Sequence, residues 1–349
     1  MTELASLVAT LRASRGFRHK RDIGTVLSRL DDTAAAGQTA VPNGDDCAVL
    51  PDPAGEGHLL LAIEGLVQDF VEAMPWFAGY SAVMVNLSDI AAMGGRPTAV
   101  VDALWSADPA QATELLAGMR AASERYGVPL VGGHTNLQSA RGQLAVAVLG
   151  RAHRLISSFA ARPGDRLLMA VDLRGQWQGG QPFWNASTGA PAQRLRDDLA
   201  LLPLLAEAGL CDAGKDISMA GVLGTALMLL ECSQVGARIA LDRLPRPDCV
   251  PGWQVSGEIA QGARVRWLCA FPSYGYLLSV RAAQVDAVNA RFAAREIACA
   301  EIGEVVAGHR LELALTDSAG HLQKAQLWDL AAEPFIAGRP AAPARARHD

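Results

Sequence analysis

Residues 79–97, GYSAVMVNLSDIAAMGGRP, decide how this chain is to be read. Val83, Leu87 and Ile90 recur at three- and four-residue steps and form the apolar stripe of a helix. Asn86, Asp89 and Met93 recur the same way on the adjoining face, so an amide and a carboxylate project from one side. Gly94-Gly95 supplies the backbone freedom of a left-handed cap, and Pro97 forbids continuation. On its own Asp89 reads as a solvated acid on an amphipathic helix. A carboxylate bordering a buried stripe is costly, however, unless a cation or hydrogen-bond donors meet it.

Acids in comparable settings flank this helix on both sides. Upstream, Asn43-Gly44 is a turn signal followed by Asp45 and Asp46 and the apolar run 47–50. Two readings stand: a hairpin turn with surface acids, or adjacent carboxylates presented to a hard cation. The acids do not alternate as an EF-hand requires. Residues 58–63, HLLLAI, form a buried strand that delivers Glu64 at its end. Downstream, 98–104 reads as a strand and 110–126 as a helix closed by Gly127. A short strand at 128–131 runs into Gly132-Gly133-His134-Thr135, and 143–149 is a further strand. His134 is either a hydrogen-bonded structural histidine or a phosphate contact and proton shuttle. Strands and helices alternate, with polar residues at strand ends where mixed folds place ligands.

Pro163-Gly164-Asp165 launches a second unit, beginning with a strand at 166–171. Residues 173–191 lack a clear period and read as a long loop, a candidate mobile cover. Residues 194–209 are helical. Asp216 and Ser218 precede the apolar helix 220–234, where they serve as N-caps or flank a ring of N–H groups suited to phosphate. Strands are expected at 238–241, 265–271, 276–280 and 298–306, and a helix at 283–293. Tyr274 and Tyr276 read as packing residues. At the other end, residues 1–30 form one or two helices interrupted by the basic segment 15–21, RGFRHKR. That segment is a solvated loop or a phosphate-directed arm. The expected organisation is an N-terminal domain at 1–156, a C-terminal domain at 157–334 and a disordered tail at 335–349.

A length of 349 residues exceeds what one core usually serves, which agrees with two domains. Half the residues are apolar, 19% are charged and the formal net charge is −5. With no Lys/Arg block, a nucleic-acid surface is not expected. Six cysteines occur without a CxxC pair, so neither a zinc site nor a disulfide framework is indicated, and a reducing, cytoplasmic setting is expected. No secretory pattern opens the chain, and the apolar run 217–230 is too short to cross a bilayer. Asp45, Asp46, Glu64, Asp89 and Asp216 thus come from separate elements, an all-oxygen set of the kind magnesium prefers. No P-loop or protein-kinase signature is present.

The segments NGDDCAVL, AIEGLV, NLSDIAAMGGRP, VGGHT, PGDRLL and KDIS, in that order across residues 40–280, resemble the aminoimidazole-ribonucleotide (AIR) synthetase superfamily. That group includes thiamine-monophosphate kinase, selenophosphate synthetase and a hydrogenase maturation factor, and the likeness is greatest to thiamine-monophosphate kinase. The resemblance implies an α+β fold of two domains, each a mixed sheet covered by helices, with a homodimer built on the N-terminal domains. It implies ATP and Mg2+ as cofactors. Asp45, Asp46, Asp89 and Asp216 would be metal ligands, with Glu64 in a position where the family has Asp. Gly44, Asn86, Gly132, Gly133, Thr135 and Ser218 would contact the nucleotide, and Asp46, Asp89 and His134 would serve catalysis.

The chain departs from that kinase at three places. His134 stands where it has Asp, as in selenophosphate synthetase. Met219 replaces the second acid of its DISDG motif. Residues 272–278, PSYGYLL, lack the acids of its GEDYELL motif. A selenophosphate-type N-terminal Cys and Lys pair is not found, nor a C-terminal Cys carrier tail. The expected function is an Mg-ATP-dependent phosphotransferase or synthetase acting on a small molecule. The alternatives are a regulatory or assembly subunit that has lost chemistry, or a selenophosphate-synthetase-like enzyme.

Overall fold

The computed structural model describes residues 3–30, 41–55, 57–255, 257–316 and 320–336. Its first unit is a five-stranded sheet built from β1 (Ala48–Pro51), β2 (His58–Gly65), β3 (Arg96–Trp105), β4 (Leu130–Asn136) and β5 (Gln143–Ala152). The strand order is β1-β2-β5-β3-β4, antiparallel except for the parallel β3–β4 pair. The short α3 (Gln68–Ala73), α4 (Pro75–Ala92) and α5 (Pro109–Tyr126) cover one face.

The stretch that organises the sequence is the centre of α4. Pro75 opens the helix, where its missing N–H costs nothing. Gly94 closes it at φ +74°, and the Gly95 N–H reaches back to the Ile90 carbonyl at 2.9 Å. Two glycines let α4 and α5 touch backbone to backbone. A Cβ on Gly79 would lie 2.0 Å from the Leu115 carbonyl oxygen, and one on Gly118 1.9 Å from that of Trp76. Between them lies a core that includes Val83, Leu87, Ile90, Leu115 and Met119, all fully buried. Leu116, of the same apolar run, faces out.

The opposite face of this sheet is also apolar. Leu61, Ile63, Val101 and Leu149 alternate with buried neighbours along β2, β3 and β5 and are 41–68% exposed. A solvated antiparallel face ordinarily carries polar residues at these positions.

The second unit is a seven-stranded mixed sheet. It comprises β6 (Arg166–Val171), β9 (Ala213–Asp216), β10 (Gly236–Ala240), β12 (Gly275–Val280), β13 (Ala298–Val306), β14 (Arg310–Thr316) and β15 (Leu322–Asp329). They run in the order β15-β14-β10-β13-β6-β12-β9. Its helices are α6 (Ala192–Leu199), α7 (Leu201–Glu207), α8 (Gly221–Ser233), α9 (Glu258–Leu268) and α10 (Val285–Ala293). The α+β architecture of two domains, each a mixed sheet with helices, expected from the sequence is the one observed.

Several local expectations are corrected. The segment 265–271 is mostly helix: Ala260, Arg264, Trp267 and Leu268 are buried at helical spacing on α9, and an apolar run this short does not separate helix from strand. The expected loop 173–191 contains β7 (Gln176–Trp177) and β8 (Phe183–Asn185), which join β11 (Phe271–Pro272) in a three-stranded sheet. Trp177, Trp184 and Trp267 pack edge to face there, and Arg266 lies 4.0 Å from the Trp177 ring centroid.

The basic segment is not a loop but the first half of α2 (Arg15–Leu30), which follows α1 (Glu3–Ala13). Both helices pack on the second sheet rather than the first: Leu4, Leu7, Leu11 and Phe17 share a core with Leu223, Leu311 and Trp328. The expected division at 156/157 therefore leaves out this N-terminal exchange. Nor does the disordered tail start at 335. Phe335 and Ile336 are buried, and their N–H groups donate to the Glu231 carboxylate at 2.8 and 2.6 Å. Positions 337–349 lie outside the described residues.

Candidate active site

Where the two sheets meet, three carboxylates converge. Asp46 arrives from the turn before β1, Asp89 from α4 and Asp216 from the end of β9. One oxygen of each lies within 4.8 Å of the others. Glu64, near the end of β2, joins Asp89 and Asp216 in the lining of a cavity of about 280 Å3, which His19 and Lys20 of α2 line as well.

Lys215 compensates part of this charge from behind. It is buried, and its Nζ lies 2.5 Å from Asp46 Oδ1, while the Asp216 N–H donates to Asp46 Oδ2 at 3.2 Å. Burial works against the ammonium, but Asp46 and then Asp45 outweigh it and hold Lys215 above the ordinary lysine value. Burial pushes Asp46 up to about 6, with Lys215 opposing and Asp216 adding to the rise. Asp89 is held well above the usual carboxylate range, first by burial and then by the charges of Asp216, Glu64 and Asp46. Among the described residues no hydrogen-bond donor meets its carboxylate. Asp216 and Glu64 are raised too, burial leading in both, with Lys20 opposing.

Four carboxylates against two ammonium groups leave two formal negative charges in one low-dielectric pocket. A divalent cation would cancel them, and hard oxygens without a thiolate or imidazole in the cluster suit magnesium. The residues present therefore fit such an ion: Asp46, Asp89 and Asp216 would hold it, with Glu64 at the rim.

Apart from Ser218, the other sequence candidates fall elsewhere. Asp45 is a structural pin. It accepts hydrogen bonds from Ser157 Oγ at 2.7 Å, Ser158 N at 2.9 Å and Ser158 Oγ at 2.6 Å, which leaves it turned away from the cluster. Its neighbour Asp46, in the same bend before β1, instead meets Lys215 and the Asp216 N–H. Gly44, at φ +122°, makes this turn and packs near Cys232. Asn86 is fully buried; its Nδ2 donates to the Ala82 carbonyl at 2.7 Å and its Oδ1 has no partner among the described residues.

Gly132, Gly133, His134 and Thr135 lie on the exposed edge strand β4, with the His134 ring 6.0 Å from Trp105. β5 and β3 separate β4 from the strand carrying Glu64, a span of about 14 Å. Within one chain they do not reach the cavity. Ser218 does line it, but neither Asp216 nor Ser218 caps α8, whose N-cap position is Ala220 at φ +82°. Lys215 is the main residue that sequence reasoning passed over. Its signal was its place beside Asp216 in KDIS, which reads as an ordinary surface lysine until the strand is known to be buried.

Comparison with known proteins agrees with this architecture. The family model for the N-terminal domain of AIR synthase related proteins matches residues 44–152, and the corresponding C-terminal model matches 174–316. The chain belongs to the AIR synthase-related family. An uncharacterised Synechocystis sp. member is 44% identical over 333 residues, covering 95% of this chain and 98% of its own. A thiamine-monophosphate kinase of Synechococcus elongatus is 31% identical over 232 residues, covering 60% and 69%. Among solved structures, Thermotoga maritima PurL complexed with ATP superposes with a TM-score of 0.68 at 19% identity. That match covers 98% of this chain but only 53% of the PurL chain, so this AIR synthase-related protein spans about half of PurL's length. Among its described residues no helix is long and apolar enough to cross a membrane.

Proposed function

We propose that this protein is a magnesium-dependent enzyme that uses ATP to phosphorylate or activate a small-molecule acceptor. The observation that carries the reading is the Asp46–Asp89–Asp216 cluster, under-compensated in charge and beside a cavity that Lys20 also lines. The bound ion would neutralise phosphate charge, which is most of what phosphoryl transfer demands. Lys20 and His19, which line the cavity from α2, would meet phosphate oxygens, and Lys215 pairs with Asp46 and holds it from behind. An acceptor oxygen or nitrogen attacks the γ-phosphorus, the bond to the β–γ bridging oxygen breaks, ADP leaves with that electron pair, and the acceptor's proton passes to a cluster carboxylate. A thiamine-monophosphate kinase among the relatives and an ATP complex among the structural neighbours support this class of chemistry.

Calorimetric titration tests it. ATP binds in the presence of magnesium and not in its absence, and the magnesium-dependent affinity falls as pH drops through about 6, because protons then compete for Asp46 and its more strongly raised neighbours. Binding of ATP that ignores both magnesium and pH contradicts the proposal. A non-catalytic, nucleotide-binding subunit is the second reading. It is favoured by Met219 and Ser273 lining the cavity where the kinase motifs carry acids, and it predicts binding without turnover.

The protein is further proposed to be a homodimer across the uncovered face of the five-stranded sheet. An apolar sheet face needs a second layer, and the sheet's own helices lie on the other side. Ile63→Lys should convert a dimer into a monomer in sedimentation analysis. A monomeric wild type at micromolar concentration would refute this.

A further inference from the structure

The cavity is asymmetric, and its second half bears on the acceptor. The charged and imidazole side chains that line it are His19, Lys20, Glu64, Asp89 and Asp216, all belonging to the acid cluster or the facing turn of α2. The remaining wall is largely apolar, with an aromatic patch among aliphatic side chains such as Leu66, Met84 and Ile217. Phe70 from α3, Phe77 from α4, Phe183 and Trp184 from β8 and Phe271 from β11 come from four separate elements to line the same space. Ring centroids lie 4.7 Å apart for Phe70–Phe183, 4.9 Å for Phe183–Phe271 and 5.8 Å for Phe70–Phe77. Trp184 Nε1 already donates to the Asp172 carbonyl at 2.9 Å. The polar groups near this wall are therefore hydroxyls. Ser273 Oγ accepts from the Ala186 N–H at 2.7 Å and keeps a proton to donate.

Resting on the phosphotransferase reading above, we infer that the acceptor is an uncharged alcohol with an aromatic or similarly flat apolar body. The body would lie on the Phe70–Phe183–Phe271 wall and the hydroxyl would point toward the acid cluster. A nucleobase at this wall would leave the donors and acceptors of its edge unmatched, a loss that polar sites are built to avoid. A cationic ring would find its counter-charge only in the acid cluster, which a bound magnesium ion would neutralise, and the phenylalanine faces are partly occupied by one another. About 280 Å3 accommodates a single ring with a short tether.

The probes are 2-phenylethanol and its isostere phenethylammonium, titrated with magnesium present, with and without a non-hydrolysable ATP analogue. The alcohol should bind at least tenfold more tightly than the ammonium compound and should bind alongside the nucleotide. Phe183→Leu, which keeps the wall filled, should weaken the alcohol several-fold, and Phe183→Ala more. Equal or tighter binding of the ammonium probe overturns the inference. So does displacement of the alcohol by nucleotide, which would assign the wall to the base. If the nucleotide itself fails to bind, the phosphotransferase reading is what fails, and the nucleotide-free arm still reports the probe preference.

Discussion

The Asp89→Asn variant melts at a higher temperature than wild type in metal-free buffer, and it loses magnesium-dependent ATP binding. Both results come from the same side chain. Asp89 is buried beside Asp46, Asp216 and Glu64 with no donor of its own among the described residues, so its ionisation near neutral pH opposes folding. Sign follows from the raised value: a carboxyl with a higher pKa folded than unfolded contributes stability below its unfolded value, and that contribution is lost as pH rises through the folded one. An amide of the same shape removes the penalty. The gain should be about 0.5–2 kcal/mol, seen as a rise of a few degrees at pH 7.5 that shrinks toward pH 5. Taking a charged ligand from the cluster costs on the order of 3 kcal/mol of binding, roughly a hundredfold in affinity. A variant that is stabilised yet binds Mg-ATP normally would remove Asp89 from the metal shell; one that simply unfolds would refute the charge argument.

Lys215→Met produces the opposite and larger change in stability. The ammonium is the buried counter-charge of Asp46, at 2.5 Å, and it lowers Asp45 and Asp216 as well. Removing one partner of a buried pair typically costs about 3–5 kcal/mol, because the other is left uncompensated. The midpoint of thermal unfolding should fall on the order of ten degrees at pH 7.5. Asp46 is already pushed up to about 6 with Lys215 present, so without it the carboxyl takes a proton more readily still. The deficit relative to wild type therefore narrows as pH falls below about 6, where Asp46 becomes neutral. Adding Asp46→Asn should recover much of the stability without restoring nucleotide binding. A deficit that is the same at pH 5 and pH 8 would mean that packing, rather than charge, is the role of Lys215.

These two residues also mark how far the sequence could be read. Asp89 was legible because a helix with a clear stripe and a glycine cap fixes where each side chain points, and an acid next to the stripe needs a reason. Asp46, Glu64 and Asp216 were legible in the same way, each at the end of a recognisable element. Lys215 and the pinning role of Asp45 were not. Which of two consecutive residues faces a site depends on strand register and on what the neighbouring sheet offers, and Ser157 and Ser158, which claim Asp45, lie more than a hundred positions away. His134 failed for a related reason: the glycines beside it mark a special strand but not its place at the sheet edge. The Phe70–Phe183–Phe271 wall left no pattern in the sequence at all, being assembled from three distant segments.

The docking of α1 and α2 on the second sheet has a consequence for synthesis on the ribosome. Arg12 lies 3.8 Å from the ring centroid of Trp328 and pairs with Glu333, and Phe17 packs against Phe335. At translation rates of about 5–20 residues per second, those partners emerge on the order of fifteen seconds to a minute after α1. The five-stranded sheet can assemble from the nascent chain meanwhile, but the apolar stripe of α1 stays without its full docking site until β15 has been made. Lys20 rides on α2, so the cavity beside the acid cluster is completed only once α2 has docked, and a chain short of that point carries the acids without this cation.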